Sequence, residues 1–121
     1  MADLLLENEI LSYDEAEKVY YLLMEQNLDA EIKSYIDMTI RDAVVYATTR
    51  AKWAVISDEE AVRMNSQRTE EHDSLLVGMA AVVSKMNNRG MDTTWYSMLR
   101  SRKRMGDFAC YLAYVKSMEA R

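Results

Sequence analysis

The absence of proline is the feature of this sequence that most constrains its fold. A chain of 121 residues with average usage would contain roughly six prolines, and this one contains none. It also has only three glycines. Because proline and glycine are the residues that most disfavour a helix interior, long uninterrupted helices are compatible with nearly the whole chain. The sequence therefore predicts an all-α protein.

Length and hydrophobic content predict a single helical domain over residues 1–121. Half of the residues are hydrophobic, which is enough for a core. The lone Cys110 cannot form an intramolecular disulfide, as is typical of a reducing compartment. The longest uncharged apolar run, residues 75–83, is too short for a bilayer that needs about 20 residues. We therefore expect a soluble cytoplasmic protein with no membrane partner, of a type common in bacteria and phages.

Charge is divided unevenly between the two halves of the chain. Residues 1–60 carry five basic and fourteen acidic groups, a net of −9, whereas residues 61–121 carry ten and six, a net of +4. The total of −5 disfavours nucleic acid as a partner, because nucleic-acid binding requires an extended basic surface. The two halves are expected to attract each other, either within one chain or between two.

Capping signals divide the chain into helices. Ser12 with Glu15 reads as a capping box that starts a first main helix over about residues 13–26. Ser57 with Glu60 has the same pattern and starts a third helix over about residues 58–88, with Gly90 as a left-handed terminator. Residues 2–11 are predicted to form a short helix of their own.

The second helix is predicted from Asp29 as its N-cap, over about residues 30–56. Its buried stripe is expected to follow steps of three and four: Ile32, Ile36, Ile40, Ala43, Ala47, Ala51 and Ala54. A fourth helix starts after Asp92 or Thr93. Its apolar stripe keeps phase across Gly106, which favours one long helix, straight or bent, over one divided near Arg104. The resulting architecture is a four-helix bundle, with long helices 2, 3 and 4, and a short N-terminal helix.

A polar stretch interrupts the apolar face of the third helix. It comprises Asn65, Arg68, Thr69, Glu70, His72 and Asp73. These turns either extend into solvent beyond shorter neighbours or line a polar pocket or subunit contact. A helical metal site needs several histidines and carboxylates from separate helices, and this chain has one histidine, so we predict no metal or other cofactor. If the stretch lines a pocket, the alternative function is a small-molecule or metal-dependent enzyme around His72, with Asp37 or Asp42 of the second helix facing it.

A basic cluster beside two aromatic residues is the candidate partner-binding surface. It comprises Trp95, Tyr96, Arg100, Arg102, Lys103 and Arg104. Basic and aromatic side chains together can bind phosphates and bases, but residues 100–104 wrap around a helix and do not form one row. The simplest interpretation is a solvated face that pairs with the acids of the first half. As a binding surface, it suits an acidic protein partner better than nucleic acid.

The chain is also rich in methionine and tyrosine, with ten and eight residues. Tyr20, Tyr21, Tyr111 and Tyr114 lie on more than one face of their predicted helices, and tyrosine and methionine are common at protein interfaces. The sequence lacks the P-loop, G-x-G-x-x-G, H-E-x-x-H and C-x-x-C motifs. We therefore predict a non-enzymatic protein-interaction or regulatory bundle that forms a homodimer.

Overall fold

All regular structure in the computed structural model is helical over the residues it describes, 10–99 and 101–119. Five helices follow one another: α1 Tyr13–Met24, α2 Ala30–Trp53, α3 Asp58–Asn88, α4 Thr94–Ser97 and α5 Arg102–Glu119. The all-α prediction is confirmed. The short helix predicted at residues 2–11 falls almost wholly outside the described residues, and the described positions 10 and 11 are not helical.

The predicted capping residues start the first three helices. The Ser12 hydroxyl accepts from the Glu15 N–H while the Glu15 carboxylate accepts from the Ser12 N–H, which completes a capping box. Asp29 and Ser57 each accept a backbone N–H from three residues ahead. Gly90 lies after α3 with φ of +67°, the left-handed conformation predicted for it.

The prediction of one long fourth helix is wrong, because α4 ends at Ser97 and α5 begins at Arg102. The Met98 carbonyl accepts from Arg104 Nε at 2.8 Å, and the Ser101 hydroxyl accepts from the Arg104 N–H at 3.1 Å. These side-chain bonds satisfy the backbone where the helix is interrupted. Gly106 lies inside α5, so the break is not at the glycine.

The buried stripe of α2 follows the prediction in its first half and departs from it in the second. Ile32, Ile36 and Ala43 are buried, but Ala51 and Ala54 are exposed. The buried positions after Ala43 are instead Tyr46 and Thr49. A repeat of 3.6 residues allows either series, and a tyrosine ring removes far more apolar area from water than a methyl group does.

Helices α2 and α3 pack closely around a small residue. A Cβ atom added to Gly78 of α3 would lie 2.8 Å from the Thr39 hydroxyl of α2. That hydroxyl donates to the Tyr35 carbonyl at 2.8 Å, so its position is fixed. The core beside this contact contains side chains from every described helix, and its largest fully buried members are Trp95, Phe108, Ile32, Leu75, Met79, Met86, Leu99 and Val19.

Ion pairs join the acidic first half of the chain to the basic second half. Arg89 pairs with both Asp29 and Glu31, and Glu31 lies 3.7 Å from Lys85 Nζ. The predicted attraction between the two halves therefore operates within one chain.

Among residues 10–99 and 101–119, no helix has the length and apolar character needed to cross a membrane.

Candidate functional site

A cavity of about 510 Å³ lies where α2, α3 and the start of α5 meet. Its volume is within the range of small-molecule sites. Its lining residues come from all three helices: Tyr46, Arg50 and Trp53 from α2; Asn65, Arg68, Thr69 and His72 from α3; Arg102 and Lys103 from α5. We call this space the basic cavity, because its charged lining groups are cationic.

The structure divides the predicted polar stretch of α3. Four of its six members line the basic cavity, as given above. The other two, Glu70 and Asp73, are exposed and do not line it. Asp73 instead accepts from Arg102 Nη2 at 2.9 Å across the α3–α5 contact.

The predicted basic and aromatic cluster is divided as well. Arg102 and Lys103 are exposed and line the cavity. Trp95 and Arg104 are 1% and 5% exposed, so neither is available to a partner on this surface. Tyr96 is half-buried, with its ring 5.5 Å from that of Trp95. Arg100 lies outside the described residues. Two of the six predicted partner-binding residues, Trp95 and Arg104, therefore belong to the interior and do not share a surface with Arg102 and Lys103.

Arg104 is buried because it joins three separate segments. Its guanidinium donates to the Met98 carbonyl at 2.8 Å, the Ile10 carbonyl at 3.0 Å and the Glu15 carboxylate at 3.0 Å. These contacts lower the pKa of Glu15, chiefly through the Arg104 hydrogen bond. Arg104 thus connects the start of α1, the break after α4 and the start of α5.

Two aspartates outside the lining of the basic cavity form ion pairs with three of its four cations. Asp107 Oδ1 accepts from Arg50 at 2.9 Å and from Lys103 at 3.2 Å. Asp73 holds Arg102 in the same way. Neither aspartate lines the cavity, so the guanidinium and ammonium groups form its charged surface.

Arg68 differs from the other cations of the cavity. Its guanidinium lies over the Trp53 ring at 4.7 Å from the centroid, and its Nη2 donates to the Asn65 side chain at 3.2 Å. Within the part of the chain that the structure describes, no carboxylate lies within ion-pair distance of Arg68, and its buried Nε has no hydrogen-bond partner. Its charge is therefore oriented but not neutralised by an ion pair.

His72 connects α3 to the first turn of α5. Its Nε2 lies 2.9 Å from the Arg102 carbonyl, which can only accept, so Nε2 carries the proton. Its Nδ1 is buried and has no partner among the described residues. Burial lowers the pKa of His72, and the bond to the carbonyl opposes that shift only in part. His72 is therefore neutral at neutral pH and acts as a fixed donor.

The lining of the cavity is unsuited to a metal cation, because its charged groups are positive. Over residues 10–99 and 101–119, no group of three or more His, Cys, Asp and Glu side chains is placed to hold a metal ion. The expectation that Asp37 or Asp42 faces the polar stretch is not met, because neither lines the cavity. Asp37 lines grooves beside α1 instead.

Sequence reasoning missed the contribution of α2 to this cavity. Tyr46, Arg50 and Trp53 are spaced i, i+4 and i+7, which places them on one helix face. That spacing was the available signal, but the predicted stripe through Ala47, Ala51 and Ala54 follows an equally regular helical spacing on a neighbouring face. Close packing completes the site, since a Cβ atom added to Gly106 of α5 would lie only 2.8 Å from the Tyr46 hydroxyl.

A cluster of tyrosines forms a second feature, on the surface between α1 and α5. The rings of Tyr13 and Tyr111 are 5.5 Å apart, those of Tyr13 and Tyr114 are 6.2 Å apart, and those of Tyr20 and Tyr111 are 5.8 Å apart. Tyr21 joins through Tyr20 at 5.9 Å. Most pairs meet edge to face, the preferred arrangement of aromatic rings. We call these five residues the tyrosine surface.

The tyrosine surface is neutral and only partly covered. The rings of Tyr13, Tyr21 and Tyr114 are 56%, 50% and 48% exposed. Burial raises the pKa of Tyr111 to about 12, with smaller contributions from its neighbours Tyr13 and Glu17. Burial also raises the pKa of Tyr13, with smaller contributions from Tyr114 and Glu17. The hydroxyls of Tyr13 and Tyr111 therefore stay protonated, and neither adds a charge that has to be desolvated when another surface covers the rings.

Comparisons with protein-family models, curated proteins and solved structures match this chain to none of them.

Proposed function

We propose that the protein is a cytoplasmic, non-enzymatic helical bundle that self-associates through its tyrosine surface and acts by binding protein. In this proposal α1, α2, α3 and α5 form a four-helix bundle, and α4 is part of the connection before α5. The observation that supports the proposal is a continuous group of five tyrosines. Their rings contact one another, yet three of the five side chains remain about half exposed to solvent.

The exposed area is of the size found at functional patches. A tyrosine ring buries roughly 150–250 Å² when fully covered, so each half-exposed ring offers about 100 Å². Met118 is also about half exposed, at 47%. Met118 lies four residues after Tyr114 and so extends the same helix face. Together these four side chains present on the order of 400 Å², comparable with the largest patch on a typical monomer.

A second copy of the chain is the partner that best suits this surface. Glu17 adjoins Tyr13 and Tyr111, and Lys116 lines a groove with Tyr20, so the surface has both signs of charge at its edges. In a two-fold interface, the edge with Glu17 on one copy faces the edge with Lys116 on the other copy. This arrangement occurs twice, so two pairs of opposite charges are formed. Acidic groups of the first half and basic groups of the second half already form ion pairs within the chain, so the dimer is expected to depend on apolar contact.

Replacing Tyr114 with lysine tests the proposal. The Tyr114→Lys variant places a charge among the exposed rings, where burial against a second copy would desolvate it. We expect this variant to be a monomer by sedimentation velocity. Val77→Lys, at a position that is 71% exposed on α3, is the matched control and is expected to dimerise like the original protein. Equal dimerisation of the two folded variants would contradict the proposal.

An enzymatic function around His72 is less well supported than self-association. General base catalysis needs an imidazole nitrogen that reaches the substrate. Here Nε2 is bonded to the Arg102 carbonyl, and Nδ1 is shielded from solvent inside the protein. The cavity offers cationic donors instead, which bind anions.

A further inference from the structure

We propose that the basic cavity binds a small organic anion, whose phosphate or carboxylate lies against Arg68, Arg102 and Lys103 and whose planar apolar group packs beside Trp53. This site is separate from the tyrosine surface, and the inference does not depend on self-association. It rests on three observations: the cationic lining of the cavity, the orientation of Arg68 by Trp53 and Asn65, and the largely apolar space that adjoins the cavity at Trp53.

The charge balance favours an anion. Four cationic side chains line the cavity, and no carboxylate of the described residues lines it. Asp107 and Asp73, which do not line the cavity, form ion pairs with three of these cations. Two further acids lie in this region: one Glu71 oxygen accepts from Thr49 at 2.9 Å, and Asp58 lines the adjoining cavity that shares Trp53 and Asn65. An anion inside the basic cavity would therefore meet four cationic side chains and no carboxylate of the described lining.

Arg68 is the residue best prepared to receive the anion. The other three cations already form ion pairs with aspartates, whereas Arg68 is oriented by Trp53 and Asn65 and has no ion-pair partner among the described residues. A guanidinium presents a planar fork of N–H donors that matches the two oxygens of a carboxylate or phosphate. Because the stacking contact already restricts the side chain, little further entropy is lost when an anion binds.

The start of α5 adds to the attraction. This helix has 18 residues, and its first two, Arg102 and Lys103, line the cavity. The N-terminal end of a helix carries partial positive charge and favours anions nearby. His72 and Asp73 hold this end in place, through the carbonyl and the side chain of Arg102 respectively.

The apolar part of the ligand is inferred from a second cavity that shares Trp53 and Asn65 with the first. This space has a volume of about 530 Å³, and its other lining residues are apolar except for Asp58: Ala54, Ile56, Asp58, Ala61 and Val62. The Trp53 ring is held by a bond from its Nε1 to the Ala61 carbonyl at 3.0 Å. A ligand whose anionic end meets Arg68 has a fixed aromatic ring and an apolar wall beside it.

Isothermal titration calorimetry of the full chain tests this inference with four probes: phenyl phosphate, benzoate, inorganic phosphate and benzylamine. We expect phenyl phosphate or benzoate to bind saturably at one site per chain, and the stronger of the two identifies the preferred anion. Inorganic phosphate should bind more weakly than phenyl phosphate, because it lacks the apolar group. Benzylamine, which carries the opposite charge, should not bind. Absence of binding by both aromatic anions, or equal binding of benzylamine, would overturn the proposal.

Variants locate the site. Arg68→Gln keeps side-chain hydrogen bonding but removes the charge, and it should weaken aromatic anion binding by about tenfold or more, the effect of losing a charge-assisted hydrogen bond. Arg41 is an exposed arginine near the middle of α2 that does not line the cavity, so Arg41→Gln is the matched control and should bind the anion like the original protein. Trp53→Leu should reduce the preference for phenyl phosphate over inorganic phosphate. Unchanged binding in a folded Arg68→Gln variant would place the anion elsewhere and overturn the assignment.

Discussion

Arg104 is the residue whose role differs most from its sequence context. It belongs to a basic run that suggests a surface, yet its guanidinium is buried and bonded to two backbone carbonyls and a carboxylate. The neighbouring Lys103 has a side chain that is 45% exposed. A one-residue step on a helix turns the side chain by about 100°, which is enough to separate an interior position from a surface one.

We expect Arg104→Ala to lower the free energy of unfolding by about 3 kcal/mol, because removing one partner of a buried charge network leaves the others unpaired. Lys103→Ala is the control, and it should cost less than about 1 kcal/mol, as exposed ion pairs do. Urea unfolding monitored by circular dichroism measures both values. Similar small effects for the two variants would show that Arg104 does not hold the three segments together.

His72 predicts a pH dependence of stability. Its pKa is lowered by burial from an ordinary value of 6.5, so between these two values the unfolded chain binds more protons than the folded one. The contribution of His72 to stability is therefore complete above pH 6.5 and is lost as pH falls through the native pKa. His72 is the only histidine in the sequence, and carboxylates titrate near pH 4, so the window from about pH 7 to pH 5 reports on it.

The His72→Gln variant tests this assignment, because glutamine keeps an N–H donor for the Arg102 carbonyl but does not titrate. We expect its free energy of unfolding to vary less with pH between about pH 7 and pH 5 than that of the original protein. Urea unfolding at a series of pH values gives both curves. Parallel curves for the two proteins would mean that His72 is not the group responsible.

At the residue scale, the sequence predicts four of the nine residues that line the basic cavity as members of one polar stretch, and two more, Arg102 and Lys103, as members of the basic cluster. Asn65, Arg68 and His72 were predicted as members of a polar stretch, because polar side chains on an apolar helix face are visible in the pattern. Arg50 and Trp53 were not, since their role depends on where α2 crosses α3. The sequence specifies which residues share a face of one helix, but not which faces of two helices meet.

At the scale of the helices, Gly78 sets the distance between α2 and α3. We expect Gly78→Ala to destabilise the protein by about 1–3 kcal/mol through contact with the Thr39 hydroxyl, a cost reduced by the better helix propensity of alanine. Adding Thr39→Ala should recover part of the loss, as a coupling in a double-mutant cycle measured by urea unfolding. Gly90→Ala is the control, because an added Cβ there meets nothing within 4 Å, and its strain comes from φ of +67° alone. Additive effects of the Gly78 and Thr39 substitutions would contradict this contact.

Helix starts were easier to predict from the sequence than the break near residue 100. Ser12, Asp29 and Ser57 signal helix starts through bonds that are local in the chain. The interruption between α4 and α5 depends on Arg104 reaching the Met98 carbonyl while also bonding to Ile10, a contact across 94 residues of sequence. Local patterns do not carry such information, and the apolar stripe continues in phase across the break.

At the scale of the whole molecule, the two features with functional potential lie on different parts of α5. Arg102 and Lys103, at its start, line the basic cavity, whereas Tyr111 and Tyr114 lie about 12–18 Å further along the helix axis. The tyrosine surface is therefore free to contact a second copy while the cavity stays open to a ligand. Self-association and anion binding are therefore expected to be separable properties of the protein.

Light scattering of the original protein at low and at high salt tests the central proposal most directly. The chain has a mass of 14.0 kDa, and we expect a species of twice that mass that persists at high salt, because the ion pairs between its charged halves lie within each chain. A dimer that dissociates in salt would instead indicate charge pairing between chains. A monomer under both conditions would contradict self-association through the tyrosine surface.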